Sequence, residues 1–99
     1  MNRIINKQLK KVRDFFTVCN DKGLHTRPST ELVKCAAKYR SQINLIHKKA
    51  TIDAKSLLGI LALAATKGTK IHIEAFGDDA ENAIQAILDL AANKFNVKY

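Results

Sequence analysis

Residues 21–30, "DKGLHTRPST", place His25 between a glycine turn and the start of a predicted helix. An imidazole titrates near neutral pH, so a histidine can offer a nucleophilic ring nitrogen under cellular conditions. At a helix N-terminus, free backbone N–H groups and the positive end of the helix dipole favour an anionic group on that nitrogen. Arg27 adds a planar guanidinium suited to paired contacts with phosphate oxygens, and Gly23 allows a sharp turn. These residue types favour a phosphohistidine at His25.

Other interpretations of the same residues stay open at this level. His25 could merely cap the helix, with Arg27 solvated. A serine hydrolase is disfavoured, because neither Ser29 nor Ser56 lies in a nucleophile elbow or a pattern that supplies catalytic partners. The sequence has no paired carboxylates and no cluster with metal-ligand spacing, so no metal and no cofactor are predicted. We therefore expect no conventional catalytic pocket.

Two further histidines and two cysteines have plainer surroundings. His47 and His72 each lie in an alternating strand pattern, which predicts sheet-surface residues without a function. Cys19 and Cys35 have no zinc or redox spacing and are predicted to be buried thiols in a reducing cytoplasm.

Hydrophobic periodicity predicts the elements that must position His25. Strands are predicted at 14–20, 42–47, 50–54 and 69–76, and helices at 28–39, 55–66 and 80–91. Each strand is apolar on one face and each helix along one stripe, which favours two layers. The predicted fold class is α+β, an open-faced β-sandwich in the order β-α-β-β-α-β-α, with a four-stranded antiparallel sheet covered on one face by three helices.

Length and charge limit the class of protein. Ninety-nine residues, 46% of them apolar, predict one domain with a modest core, at 14–99, preceded by a basic extension at 1–13. The extension holds five of the 17 basic residues and no acid. No apolar run is long enough to span a bilayer and no signal peptide is evident, so a soluble, unexported protein is expected. The net charge of +8 makes a nucleic-acid-binding module the competing class, but the strands show no interleaved aromatic and basic residues of the kind that stack bases, and the chain has only six aromatic residues.

Two motifs together carry a resemblance to a known family. "GLHTRPSTELVKCA" and "AKSLLGILALAATKGTKIHIEAFGDD" resemble HPr, the family of phosphocarriers of the bacterial phosphoenolpyruvate-dependent sugar phosphotransferase system. The likeness covers about residues 14–95 and implies the open-faced β-sandwich already predicted. It implies a stoichiometric carrier and no enzyme. His25 would accept a phosphoryl group on Nδ1 from phospho-enzyme I and donate it to enzyme IIA domains, with Arg27 stabilising the group.

The resemblance also implies a regulatory site and a docking surface. Ser56 in "KSLLG" would be phosphorylated by an HPr kinase/phosphorylase and read by phosphoserine-dependent regulators; the alternative is an ordinary helix N-cap. The docking patch would consist of Leu57, Leu58 and Leu61, with the cations Lys22, Arg27 and Lys55 steering acidic partners. Lys22 departs from the family, which often has a small polar residue there. We expect the protein to be a monomer that neither inserts into a membrane nor binds nucleic acid. A regulatory relative that keeps the fold but carries no phosphate to sugar transport stays an alternative.

Overall fold

The computed structural model describes residues 10–99. The strands are β1 (Lys11–Thr17), β2 (Gln42–His47), β3 (Ala50–Asp53) and β4 (Lys70–Phe76), and the helices are α1 (Thr26–Ala36), α2 (Leu57–Ala62) and α3 (Ala80–Ala92), followed by a left-handed turn at Lys94–Asn96. The strands form one antiparallel sheet in the order β1-β4-β2-β3. This architecture confirms the predicted α+β open-faced sandwich and the order of its elements.

The core lies between the sheet and the helices. Alternate residues of β4, namely Ile71, Ile73 and Ala75, are buried on the face that the helices cover. They pack with apolar side chains from each helix, represented by Leu32, Ile60 and Ile87. The period of two along the strand and the apolar stripe of each helix therefore produce the two layers that the sequence predicts. Within residues 10–99, no helix has the length and apolar character needed to cross a bilayer.

The first strand begins and ends three residues earlier than predicted. β1 pairs with β4 along its whole length, from Lys11 opposite Phe76 to Thr17 opposite Lys70. Residues 11–13, assigned to the basic extension by composition, are therefore strand residues, because pairing with β4 outweighs local composition. The remainder of the extension, residues 1–9, lies outside the described residues.

The first two helices differ from the predicted ones at both ends. α1 begins at Thr26 and ends at Ala36. The N–H of Ala37 donates the last i to i−4 hydrogen bond of the helix, and the N–H groups of the next two residues donate to carbonyls only three residues earlier. α2 covers only Leu57–Ala62, because Ala64 adopts a left-handed φ of 49°. The carbonyl of Ala65 then accepts from Leu24 N–H at 2.9 Å, which holds this segment against the loop before His25.

On the outer face of the sheet, two lysines lie over aromatic rings of the neighbouring strand. Lys70 Nζ lies 4.2 Å from the centroid of the Phe15 ring, and Lys11 Nζ lies 5.4 Å from that of Phe76. His72 is exposed on the same face beside Phe15, as predicted for a sheet-surface histidine. Each of these contacts joins β1 to β4, two strands far apart in the chain.

The prediction of buried thiols is wrong for Cys19 and holds only in part for Cys35. Cys19 is exposed, just beyond the end of β1, whereas Cys35 in α1 is half-buried. Burial raises the pKa of the Cys35 thiol, and the nearby charge of Lys38 opposes that shift.

Asp79 joins the loop before β2 to the start of α3. Its carboxylate accepts hydrogen bonds from the Ser41 hydroxyl, from Arg40 N–H at 2.8 Å and from Ser41 N–H at 3.0 Å. The Ser41 hydroxyl, followed by the Arg40 amide, lowers the pKa of Asp79 below its ordinary value of 3.8. The folded state therefore favours the ionised form of Asp79.

Replacing Asp79 by asparagine should weaken the dependence of stability on acid pH. Because the pKa is depressed by folding, the carboxylate stabilises the fold above its unfolded pKa, and that contribution is lost as the pH falls through the folded value. Urea unfolding at several pH values between about 7 and 2 should show a variant that is less stable at neutral pH and approaches the wild type in acid. Asp78→Asn, at the exposed neighbour, is the control. An equal change in both variants would contradict the assignment.

Candidate functional site

His25 occupies the N-cap position of α1. Its backbone is extended, with φ −76° and ψ −170°, and its carbonyl accepts from Ser29 N–H at 3.0 Å. The side chain makes no capping hydrogen bond. The alternative in which the imidazole serves only to cap the helix is therefore not supported: the backbone of His25 starts the helix, and its ring is left for another role.

The two ring nitrogens of His25 have different surroundings. Nε2 is buried and has no hydrogen-bond partner within the described residues. His25 as a whole is half-buried, so part of the side chain reaches the surface, and with Nε2 buried we infer that this part includes Nδ1. A nucleophilic imidazole attacks through a nitrogen that bears a lone pair, while the other nitrogen carries the proton. The burial pattern thus favours Nδ1 as the acceptor atom.

The loop before His25 is held by backbone hydrogen bonds. Gly23 has a left-handed φ of 68°, and its N–H donates to the carbonyl of Asn20 at 2.9 Å. The buried hydroxyl of Ser29 donates to the carbonyl of Leu24 at 2.9 Å, which joins the loop to the first turn of α1. Ser29 is fully buried, so it supports the loop and does not act as a nucleophile.

An ion pair lies at the edge of this loop. Lys67 Nζ is 3.0 Å from a carboxylate oxygen of Asp21, and this hydrogen bond and charge lower the pKa of the Asp21 carboxyl. Both side chains are largely exposed, so the pair contributes little to stability.

The start of α1 can receive an anion next to His25. The N–H groups in the first turn of a helix have no partner within the helix, and here they belong to Thr26 and Arg27. The side chains of Arg27 and Lys22 are exposed on either side of His25 in the chain. Backbone donors at the start of α1 and two exposed cations close in the chain are therefore available to an anion at His25.

Tyr99 is a site residue that the sequence did not reveal. Its ring stacks on the imidazole of His25, with 5.6 Å between centroids and 20° between planes, and its hydroxyl accepts from Arg27 Nη1 at 3.3 Å. Lys22 Nζ lies 4.7 Å from the centroid of the same ring. No local pattern signals this arrangement, because it depends on the path of the chain after α3.

The residues predicted for docking are only partly available. Leu58 is 80% exposed and is the principal apolar contact that α2 offers, whereas Leu57 and Leu61 are half-buried. Lys55 Nζ donates to the carbonyl of Tyr39 at 2.8 Å, so this ammonium group is already bound within the chain and is less available to a partner. Lys22 and Arg27 are the more accessible cations of the predicted set.

Ser56 is the N-cap of α2. Its hydroxyl oxygen accepts from Gly59 N–H at 3.1 Å, and the side chain is half-buried. The structure therefore shows the ordinary capping interaction that the sequence analysis named as the alternative to a regulatory site. It also places Ser56 two residues before the exposed Leu58.

A sequence model of the family described as "PTS HPr component phosphorylation site" matches residues 12–93 of the chain. The chain belongs to the HPr family. The phosphocarrier protein HPr of Xylella fastidiosa (strain Temecula1) is 40% identical over 80 residues, which cover 81% of this chain and 90% of that protein. HPr proteins are phosphocarriers of the phosphotransferase system and are not catalysts, so the predicted family and its carrier function are confirmed.

Other relatives show the same domain in different settings. The multiphosphoryl transfer protein of Haemophilus influenzae is 41% identical over 81 residues, which cover 79% of this chain but 16% of that protein. Among solved structures, HPr-C-His from Thermoanaerobacter tengcongensis is 37% identical with a TM-score of 0.82, covering 91% of this chain and 99% of the other. An HPr-like domain therefore occurs both as a separate chain and within a larger phosphoryl-transfer protein.

Proposed function

We propose that the chain relays a phosphoryl group from phospho-enzyme I to sugar-specific enzyme IIA domains, with Nδ1 of His25 as the carrier atom. The observation that carries the proposal is the half-buried imidazole of His25 at the N-terminus of α1, which makes no capping bond and has its Nε2 buried, so that Nδ1 is left for an incoming group. Membership of the HPr family supports the phosphocarrier role.

The transfer step uses few groups of this chain. In the proposed step, phospho-enzyme I carries the phosphoryl group on a histidine. The lone pair on Nδ1 of His25 attacks phosphorus, and the bond from phosphorus to the donor imidazole breaks, so that its electron pair stays on the donor nitrogen. The proton of the His25 ring stays on Nε2 during the attack. Arg27 and the N–H groups of the first turn of α1 oppose the charge on the phosphoryl oxygens. Donation to an enzyme IIA domain reverses these steps toward a new acceptor.

Partner proteins must reach the same end of the molecule. In the proposed complex, Leu58 and the exposed parts of Leu57 and Leu61 form an apolar contact, while Lys22 and Arg27 attract acidic surfaces. Such an interface gives brief, salt-sensitive encounters, which suit a carrier that exchanges partners. We propose that the carrier works as a cytoplasmic monomer, which leaves the His25 face open.

The decisive experiment is phosphorylation of the purified chain by enzyme I and phosphoenolpyruvate. The expected product carries one acid-labile phosphate and loses it when an enzyme IIA domain is added. Labelling without transfer to any sugar-specific enzyme IIA domain would instead favour a regulatory relay. No labelling in the presence of an active enzyme I would contradict the proposal.

Ser56 is the second functional position that we propose. Its hydroxyl lies at the start of α2, next to the docking contact at Leu58, and "KSLLG" is the sequence that resembles a kinase site. A phosphate on Ser56 would add negative charge beside a surface that otherwise attracts acidic partners. Phosphorylation by an ATP-dependent HPr kinase/phosphorylase would therefore weaken recognition by enzyme I and create a site for phosphoserine-dependent regulators.

Ser56→Asp is expected to raise the KM for phosphorylation by enzyme I, because the added charge opposes docking, while kcat changes less. The effect should shrink at high salt, where surface charges are screened. Ser56→Asn is the matched control, since asparagine is also a good N-cap but carries no charge. Equal KM values for the two variants would contradict the electrostatic role. Absence of phosphate on Ser56 after incubation with ATP and a cognate kinase would remove the regulatory site itself.

A further inference from the structure

The aromatic ring of Tyr99 covers one face of the His25 imidazole. The two rings are nearly parallel, with 5.6 Å between centroids and 20° between planes. Tyr99 is 39% exposed, so it is a surface residue whose replacement leaves the core intact. A stacked aromatic side chain at a phosphoryl-acceptor histidine restricts how that histidine can turn.

The same residue also contacts both sides of the histidine motif. The hydroxyl of Tyr99 accepts from Arg27 Nη1 at 3.3 Å, and Lys22 Nζ lies 4.7 Å from the centroid of its ring. In addition, the backbone N–H of Lys22 donates to the main-chain oxygen of Tyr99 at 3.2 Å. Tyr99 thus touches His25 and both cations that lie around the acceptor nitrogen.

The fold brings Tyr99 to this place by an anchored turn. All three residues of Lys94–Asn96 have left-handed φ values, between 52° and 61°, which reverse the chain after α3. Phe95 is buried and packs edge-on against Phe16, with 5.6 Å between ring centroids. The side-chain amide of Asn20 donates to the carbonyl of Lys94 at 2.9 Å. The core therefore fixes the turn that leads to Tyr99.

No side-chain hydrogen bond fixes the orientation of the His25 ring within the described residues. The ring makes no capping bond, and Nε2 is buried without a partner. Packing must supply the restraint that hydrogen bonds do not, and the ring stacked on the imidazole is that of Tyr99. Rates of group transfer depend steeply on the alignment of the attacking atom, so this restraint bears on the reaction.

We infer that Tyr99 is a positioning residue for phosphoryl transfer: its ring orients the His25 imidazole, and its hydroxyl holds Arg27 beside the acceptor. The inference rests on the proposed relay and assigns no bond-making step to Tyr99. The stack keeps Nδ1 directed outward, and the hydrogen bond limits the positions that the guanidinium can take before a phosphoryl group arrives.

Two substitutions separate these roles. Tyr99→Leu removes the aromatic stack and the hydroxyl, and kcat for phosphorylation by enzyme I should fall about 2- to 10-fold, as expected from the strength of an aromatic pair. KM should change less, because the apolar docking contact on α2 is untouched. Tyr99→Phe keeps the ring and loses the hydrogen bond to Arg27, so it should recover most of the lost rate. Tyr39→Phe, at the other tyrosine of the chain, is the matched control.

NMR gives a readout that does not depend on enzyme I. In the wild type, nuclear Overhauser contacts should join the rings of Tyr99 and His25, and the aromatic ring current should displace the His25 ring-proton resonances. The displacement should persist in Tyr99→Phe and vanish in Tyr99→Leu. Thermal unfolding of each variant shows whether the fold is retained, and the wild-type spectrum tests the stack even if a variant fails to fold.

The outcomes distinguish this inference from the proposed function. A wild-type chain that enzyme I does not phosphorylate would contradict the relay. A phosphorylated wild type with no contact between the two rings, or a Tyr99→Leu variant with unchanged kcat, would overturn the role of Tyr99 alone. Faster phosphorylation of Tyr99→Leu would also overturn it, because the ring would then be an obstacle.

Discussion

Replacing His25 by alanine is expected to abolish phosphorylation by enzyme I and phosphoenolpyruvate, with a loss of more than about 1000-fold in initial rate. The reason is chemical, because the substitution removes the only atom proposed to form a bond to phosphorus. The fold should survive, since the imidazole makes no capping hydrogen bond and is only partly buried. Thermal unfolding close to that of the wild type would show that the loss is local.

The other histidines provide the controls for this experiment. His72 is exposed on the outer face of β4 and His47 is half-buried at the end of β2, so His72→Ala and His47→Ala should both be phosphorylated normally. In the wild type, the bound phosphate should be lost in acid and retained in base, as a phosphorus–nitrogen bond requires. Acid-labile phosphate that remains in His25→Ala would place the carrier atom on another residue.

The sequence predicted the parts of the site that are close together in the chain. His25, Arg27 and the start of α1 lie within one short segment, so residue types and helix-start signals were enough to place them. Alternation in β4 and the apolar stripe of α3 likewise predicted the two layers, because these patterns reflect burial directly.

Long-range hydrogen bonds explain why α2 is shorter than predicted. The run "SLLGILALAA" consists mostly of leucine and alanine, which favour helix, and this preference continues past Ala62, where the helix ends. The carbonyl of Ala65 is used by Leu24 instead, from a distant part of the chain. Local propensity carries no information about that partner, so tertiary structure overrides it.

Tyr99 was missed for a related reason. Glycine or asparagine is the usual signal of a left-handed turn, but two of the three residues in Lys94–Asn96 are lysine and phenylalanine. Burial of Phe95 against Phe16 offsets the conformational cost, and only the packed structure shows it. The prediction of a buried Cys19 failed because burial alternates along the chain beyond β1: Val18 and Asn20 are buried, and Cys19 between them faces outward.

Replacing Gly23 by alanine is expected to lower the free energy of unfolding by about 3 kcal/mol. Part of this loss comes from placing alanine in a left-handed conformation, and the rest comes from a weakened hydrogen bond. The glycine has a φ of 68°, and a β-carbon built on it would lie 2.2 Å from the carbonyl oxygen of Ala65. That oxygen accepts from Leu24 N–H, so the loop must move away and the bond is weakened. For a domain of this size, the melting temperature should fall by about 12–24 °C.

Gly68→Ala is the matched control, because Gly68 also has a left-handed φ, 90°, but no atom lies within 4 Å of the position that an added β-carbon would take. It should therefore lose only the conformational part, about 1–2 kcal/mol. Since Gly23 is two residues before His25, its substitution should also slow phosphorylation under conditions in which the variant is still folded, whereas Gly68→Ala should not. If the two variants lose the same stability and are phosphorylated at the same rate, the close contact between Gly23 and Ala65 does not stabilise the loop before His25.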